Sequence, residues 1–188
     1  MSYFPMMVEL EGCDVLVVGG GNEGESKVRI LKQFGAVITL VSPSATNAAI
    51  EHSDIYICRD YADGDIAKGR YRLVVASTDD RELNRRIYDE CTRYAIPVNV
   101  VDDVELCTFI FPAIIKEREV VCSVSSGGKS PLITQRRKAL IRNVLPEGIG
   151  EINDRMGEYR AVARQEYSDR TERRRFLSKK LDELLGKR

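Results

Sequence analysis

The stretch "VLVVGGGNEG" (residues 15–24) places a run of buried-type residues directly before a cluster of glycines. Gly19, Gly21 and Gly24 have the spacing G-x-G-x-x-G. Between a strand and a helix, this spacing allows a tight turn, close approach of a pyrophosphate to the backbone, and close packing of the helix on the strand. A glycine-rich turn without a ligand is the structural alternative, so the elements around the motif decide its meaning.

Short apolar runs alternate with helical patterns through residues 1–112, which is typical of a parallel sheet covered by helices. After the glycines, Val28, Leu31 and Phe34 form one helical stripe that stops at Gly35. Five strands are predicted, in "DVLVVGG", "AVITLVS", "IYICRD", "YRLVVAST" and "IPVNVV". We therefore predict an α/β fold in which a Rossmann-like parallel sheet over residues 1–112 binds a dinucleotide through the glycine motif.

The pattern changes after Pro112. The stretch "AIIKEREVVCSV" predicts two strands around a charged turn, and Ser130 and Pro131 predict the N-cap and first residue of a helix that runs up to Pro146. Because the hairpin is apolar at alternate positions, residues 113–145 are predicted to be a dimerisation segment, and the chain a homodimer. Residues 146–188 are charged and are predicted to form a helical C-terminal region.

Composition excludes several function classes. The 29 basic and 29 acidic residues balance, so neither nucleic acid nor a membrane is indicated as a partner, and no stretch is long enough to span a bilayer. The five cysteines are odd in number and never form a C-x-x-C pair, which argues against a disulfide framework and a thiolate metal site and fits a reducing cytoplasm. No metal-ligand set is predicted. Residues 113–145 carry seven basic and two acidic side chains and could attract an anion.

One expected feature of a dinucleotide site is missing. About 20 residues beyond such a glycine loop an Asp or Glu usually holds the adenosine ribose, whereas this chain has Ser42, Pro43 and Ser44 there. Ribose recognition is therefore predicted to rest on serine hydroxyls and backbone groups. Glu23, at the start of the helix, is expected to point away from the phosphates, which it would repel.

Acidic residues follow two of the predicted strands. Asp79 and Asp80 are interpreted as helix N-caps. Asp102 comes directly off the buried strand "IPVNVV", at the point where the architecture changes, and Asp103 follows it. Ligands of open α/β sheets bind outside the carboxyl ends of the strands, so Asp102 is either a functional carboxylate or a solvated one.

Four motifs together resemble a known family. The stretches "VLVVGGG…K", "ASTDD…N", "NVVDD…FIFPAII" and "VSSGGKSP" occur in an order and spacing that resemble the siroheme synthase N-terminal family, in its stand-alone form. The resemblance runs from about Leu10 to the "TERRRF" stretch near the end. It departs from the family at Glu23 and Gly24, where members usually have hydrophobic residues or alanine.

The resemblance implies an enzyme, a precorrin-2 dehydrogenase that oxidises precorrin-2 to sirohydrochlorin with NAD in siroheme biosynthesis. In bifunctional members, a sirohydrochlorin ferrochelatase (lyase) activity also inserts Fe²⁺ to give siroheme, and the sequence leaves that activity open. The implied partners are these tetrapyrroles and a second copy of the chain. The resemblance implies a preference for NAD over NADP, but the residues themselves leave this choice open, because the acidic ribose ligand is missing.

Site residues follow from the resemblance and from the positions of the strand ends. Asp102 matches the family's catalytic aspartate, and Ser126 matches a serine that lines the substrate site. Basic residues such as Lys129 and Arg136 are predicted to bind substrate carboxylates. The predicted cofactor-binding residues are Gly19, Gly21, Asn22, Glu23, Gly24, Ser42, Pro43, Ser44, Thr78, Asn99 and Val101.

A rival interpretation belongs to another class of protein. The glycine loop alone would equally suit a Rossmann module that binds NAD(H) as a sensor and regulates a partner without catalysis. The stretch "NVVDD…FIFPAII…SSGGKSP" favours the enzyme, because a sensor has no need of it.

Overall fold

A computed structural model describes residues 3–186, and the chain divides into two compact units, Met1–Phe111 and Pro112–Arg188. Residues 1, 2, 187 and 188, which belong to the first and last predicted segments, lie outside the described residues. The boundary between the two units falls after Phe111.

The first unit is built on a parallel sheet of five strands in the order β3-β2-β1-β4-β5, and it confirms the predicted Rossmann-like fold. Its strands are Asp14–Gly20 (β1), Val37–Ala45 (β2), Ile55–Ile57 (β3), Leu73–Ala76 (β4) and Val98–Val100 (β5). Its helices are Asn22–Lys32 (α1), Asn47–His52 (α2), Asp65–Lys68 (α3) and Arg81–Arg93 (α4), and a short 3-10 helix spans Val104–Leu106.

The sheet is buried on both faces, which explains its continuous apolar strands. Along β1, Val15 and Val17 belong to one core cluster and Leu16 and Val18 to the other, because successive side chains point to opposite faces. All four are fully buried or nearly so. The two cores fix the position of β1 at the centre of the sheet and therefore fix the position of the glycine loop that follows it.

β3 and β4 are shorter than the predicted "IYICRD" and "YRLVVAST", and two further differences, in β2 and β5, shape one edge of the sheet. β2 runs on to Ala45, because after a register shift Gly20 of β1 pairs with Ala45. β5 ends at Val100, since Val101 and Asp102 form a turn in which Asp102 takes a left-handed backbone conformation (φ 61°). Both differences lie at the carboxyl edge of the sheet, where a Rossmann fold binds its ligand.

The second unit begins with an antiparallel hairpin of Ala113–Glu117 (β6) and Val120–Val124 (β7), as predicted. The helices that follow are Pro131–Val144 (α5), Ile149–Glu166 (α6) and Arg170–Leu184 (α7). Ser130 caps α5 through its side chain and Pro131 is its first residue, which confirms that prediction. Helices α6 and α7 pack through Tyr159 and Phe176, whose ring centroids are 6.3 Å apart. No helix within residues 3–186 is long and apolar enough to cross a membrane.

Candidate nucleotide-binding site

The glycine loop joins the end of β1 to the start of α1, and each glycine has a different environment. Gly19 has φ +102°, and a Cβ added there would lie 2.5 Å from the carbonyl oxygen of Ser77. A Cβ on Gly24 would collide with the carbonyl oxygen of Gly19. At Gly21, the N-cap of α1, an added Cβ would meet no protein atom within 4 Å. The open space over Gly21 at a helix N-terminus fits the approach of a phosphate group.

Two serine hydroxyls hold this loop, one from β2 and one from the residue that follows β4. The Gly20 N–H donates to Ser42 Oγ (3.1 Å), and Ser42 Oγ donates to the Ser44 carbonyl (2.6 Å). Ser77, just beyond β4, places its hydroxyl within hydrogen-bond distance of the carbonyls of Val18 (3.0 Å) and Gly19 (3.1 Å). Ser42 is buried, and its hydroxyl bonds two groups of the protein itself, the Gly20 N–H and the Ser44 carbonyl. Its predicted contact with the cofactor stays a prediction.

A cleft of about 260 Å³ opens beside the loop and is lined by Gly20, Gly21, Ser44, Ala45 and Thr46. Pro43 and Ser44, both exposed, lie at its β2 side. Asn22 and Glu23 are also exposed and form the first turn of α1. The Glu23 carboxylate lies 3.5 Å from Lys27 Nζ. Of the predicted cofactor-binding residues, Gly21 and Ser44 line this cleft, on the side of the sheet edge where β1 and β2 end.

The loop after β4 is closed by its own polar groups. Asp80 accepts hydrogen bonds from the N–H groups of Glu82 and Leu83, which confirms the predicted N-cap of α4 for Asp80, whereas the same interpretation of Asp79 is wrong. Thr78 Oγ1 donates to Asn84 Oδ1 (2.8 Å), and Asn84 Nδ2 donates back to the Thr78 carbonyl (2.9 Å). Thr78 is therefore tied to α4, and its contact with a cofactor stays a prediction.

The turn after β5 presents Asp102 to solvent. The Val101 N–H donates to the Ala76 carbonyl (2.9 Å), which brings the turn beside the end of β4. Asp102 is exposed at the tip, and Asp103 accepts from the Glu105 N–H (3.2 Å) to cap the 3-10 helix. The two neighbouring aspartates thus differ, since Asp103 has a structural partner and Asp102 faces water at the sheet edge.

A buried cysteine, Cys107, contacts the turn after β5 from the protein interior. Cys107 Sγ lies 3.2 Å from the Val100 carbonyl and 3.1 Å from the Asp103 carbonyl, and Asn99 Nδ2 donates to this sulfur (3.4 Å). Burial raises the pKa of the Cys107 thiol, so it stays protonated and can donate to these carbonyls. Asn99 Nδ2 also donates to the Phe109 carbonyl (3.1 Å). Asn99 is buried within the unit, and its predicted cofactor contact stays a prediction.

The three predicted substrate-binding residues lie in the second unit, around the start of α5. The Ser126 hydroxyl accepts from the Ser130 N–H (2.9 Å) and donates to the Ser130 carbonyl (3.1 Å), which closes the "SSGGKS" turn. Lys129 lies in this turn and Arg136 on α5, and both are exposed. Their predicted contacts with a substrate stay predictions.

A glycine loop between the first strand and first helix of a β3-β2-β1-β4-β5 sheet, with an open cleft beside it, defines the Rossmann class of nucleotide-binding proteins. Residues 6–113 match the family described as putative NAD(P)-binding, and the chain belongs to this family. The match confirms the predicted NAD-type cofactor.

The chain is also similar to named proteins along nearly its whole length. It is 35% identical over 182 residues to siroheme synthase of Psychrobacter cryohalolentis, covering 94% of this chain and 34% of that protein. It is 37% identical over 178 residues to siroheme synthase 2 of Aeromonas salmonicida, covering 94% and 37%. The chain thus spans little more than a third of the length of these relatives. Together the matches confirm the resemblance to the siroheme synthase N-terminal family.

A solved structure shares the fold. The structure of SirC, a precorrin-2 dehydrogenase, superposes with a TM-score of 0.80 at 21% identity and covers 97% of this chain and 91% of its own. This likeness confirms the α/β architecture.

Sequence reasoning did not identify Ser77, although its position as the first polar residue after β4 marks it. We expect Ser77→Ala to lower the free energy of unfolding by about 1 to 2 kcal/mol, because it removes a hydroxyl within reach of two loop carbonyls. The loosened loop should also bind NAD several-fold more weakly. Thermal unfolding and titration with NAD measure the two effects, and the control is compared in the same titration.

The control for Ser77 is Ser53→Ala. This variant removes an exposed hydroxyl that bonds the Ile50 carbonyl (2.9 Å), away from the loop. Equal NAD affinities in the two variants would mean that the Ser77 hydroxyl does not position the loop.

Proposed function

We propose that this chain oxidises precorrin-2 to sirohydrochlorin with NAD as the hydride acceptor. The observation that carries the proposal is the shared sheet edge of the open Gly21 loop and the exposed carboxylate of Asp102. The names of the relatives and of the structural neighbour support the choice of substrate. The sensor alternative is not favoured, because the similarity extends over the whole chain rather than over the nucleotide-binding unit alone.

Each part of the chain then has a task. The N–H groups at the start of α1 bind the pyrophosphate, and the exposed Asn22, Pro43 and Ser44 contact the rest of the nucleotide. Asp102 accepts the proton that leaves the substrate. Lys129 and Arg136, exposed around the start of α5, pair with substrate carboxylates, and Ser126 closes the turn that carries Lys129.

Insertion of Fe²⁺ into sirohydrochlorin is a second activity that the same carboxylate could serve. Metal insertion requires a base for the pyrrole protons, and Asp102 is exposed, whereas Asp103 makes the capping bond to the Glu105 N–H. Within residues 3–186 no group of three or more His, Cys, Asp or Glu side chains is arranged to hold a metal ion. In this second activity Fe²⁺ is a substrate whose ligands are the tetrapyrrole nitrogens.

The test is turnover by the purified chain. Precorrin-2 with NAD should give sirohydrochlorin, followed by absorbance, and NADP should support a slower reaction. Tight NAD binding without any turnover would favour the sensor. Absence of NAD binding would overturn the proposal as a whole. Incubation of sirohydrochlorin with Fe²⁺ then tests metal insertion independently of NAD.

We also propose that the chain is a homodimer in the reducing cytoplasm. All five cysteines are free thiols. Large apolar side chains on α5 are exposed in the single chain, among them Leu132 (64%), Leu140 (55%) and Val144 (79%). Monomeric soluble proteins rarely leave such a stripe uncovered.

We expect sedimentation velocity to show a dimer at micromolar concentration, and Leu140→Glu to shift it toward monomer by placing a charge in the apolar stripe. The matched control is Gln135→Glu, which adds one negative charge at an exposed residue on the opposite face of the same helix. A wild-type chain that sediments only as a monomer would contradict the proposal.

A further inference from the structure

The structure offers a substitute for the acidic residue that is missing at the end of β2. Glu25 lies in α1, one turn beyond Gly21, and its N–H donates to the Gly21 carbonyl (2.9 Å). Its carboxylate oxygen Oε2 accepts a hydrogen bond from Thr46 Oγ1 (2.8 Å). Thr46 lines the cleft beside the glycine loop, so the Glu25 carboxylate is bonded directly to a side chain of the cleft wall.

The direction of the Glu25 side chain favours the same conclusion. Helical side chains tilt toward the N-terminus of their helix, which here is the phosphate-binding end. The bond to Thr46 holds Glu25 on the side of α1 that faces the end of β2, where Rossmann folds bind the adenosine ribose. Glu23, on the same first turn, lies by contrast against Lys27, which stacks over Phe111.

The charges around the cleft leave Glu25 as the dominant one. None of the five residues that line the cleft is basic. Three nearby cations have carboxylate partners: Lys27 is 3.5 Å from Glu23, Lys32 is 2.6 Å from Asp54, and Arg59 is 2.7 Å from Asp65. Arg29, four residues beyond Glu25 on α1, is exposed and forms no ion pair among residues 3–186. Within residues 3–186, Glu25 Oε1 has no hydrogen-bond partner, so one carboxylate oxygen remains for a ligand.

We propose that Glu25 accepts a hydrogen bond from a hydroxyl of the adenosine ribose and disfavours a phosphate on that ribose, so that it selects NAD over NADP. Thr46 is then a positioning residue, because its hydroxyl fixes the Glu25 carboxylate at the cleft. The inference rests on the proposed binding of NAD at the glycine loop. It explains how a chain with Ser42, Pro43 and Ser44 at the end of β2 can still distinguish the two dinucleotides.

The experiment compares Glu25→Gln with Glu51→Gln in titrations with NAD and NADP. Glutamine keeps an oxygen that accepts the Thr46 hydrogen bond and removes the charge, so the fold is preserved. Glu51 is an exposed carboxylate near the end of α2, and its replacement changes the net charge equally. We expect the ratio of the dissociation constants for NADP and NAD to fall about tenfold in Glu25→Gln and to stay at the wild-type value in Glu51→Gln.

A second variant separates charge from structure. Glu25→Asp keeps the carboxylate and should retain most of the wild-type ratio, and thermal unfolding shows whether each variant is folded. An unchanged ratio in a folded Glu25→Gln that still binds NAD would overturn the role of Glu25 and leave the proposed function intact. A wild-type chain that binds neither dinucleotide would overturn the proposed function and this inference with it.

Discussion

Asp102→Asn should lower the turnover of precorrin-2 by about 10²-fold or more and leave the affinity for NAD nearly unchanged. Asparagine preserves the size and much of the hydrogen bonding of the side chain but cannot act as the base. The residue is exposed in a turn of left-handed conformation (φ 61°), which asparagine adopts as readily as aspartate. A loss of turnover would therefore reflect proton transfer rather than folding. Initial rates by absorbance measure turnover, and titration with NAD measures the affinity.

The neighbouring Asp103→Asn is the control. The substituted asparagine would keep an oxygen that accepts from the Glu105 N–H, so the 3-10 helix and the turn should persist and the rate should stay near that of the wild type. If Asp102→Asn instead turned over precorrin-2 at the wild-type rate, Asp102 would not be the proton acceptor. Its role would then have to be sought in Fe²⁺ insertion, which the sirohydrochlorin assay measures directly.

The local features of the fold were predictable because their causes lie within a few residues. Asp80 and Ser130 were predicted as N-caps from their position before a helical pattern, and both side chains accept the expected backbone hydrogen bonds. The G-x-G-x-x-G motif could be identified for the same reason, because its glycines lie close together in the sequence. The ends of β2 and β5 were not, since they depend on the pairing of Gly20 with Ala45 and on the turn around Asp102.

Features of the candidate site that join distant parts of the chain could not be read from the sequence. Ser77 is 58 residues from Gly19, and its contact exists because β4 pairs in parallel with β1. Thr46 is 21 residues from Glu25, and their bond depends on α2 beginning directly after β2. A single sequence contains the residue types but not the strand order that brings them together.

The glycines of the loop should respond to alanine in opposite ways, and this contrast tests the cofactor site itself. Gly19→Ala should lower the free energy of unfolding by about 3 kcal/mol or more. The cause is a backbone at φ +102° and a Cβ that would lie 2.5 Å from the Ser77 carbonyl oxygen. By thermal unfolding, this corresponds to a fall in Tm of roughly 6 to 12 °C for a chain of this length.

Gly21→Ala should leave the fold intact and weaken NAD binding about tenfold or more. Gly21 has φ −72°, which any residue adopts, and its added Cβ would meet no protein atom within 4 Å, so the Tm should stay at or slightly above the wild-type value. The new methyl group would instead occupy the space through which a pyrophosphate approaches the backbone. NAD binding at wild-type strength by a folded Gly21→Ala would mean that the phosphates do not lie over this loop. The helix N-terminus of α1 would then have no part in cofactor binding, however closely its spacing follows the motif.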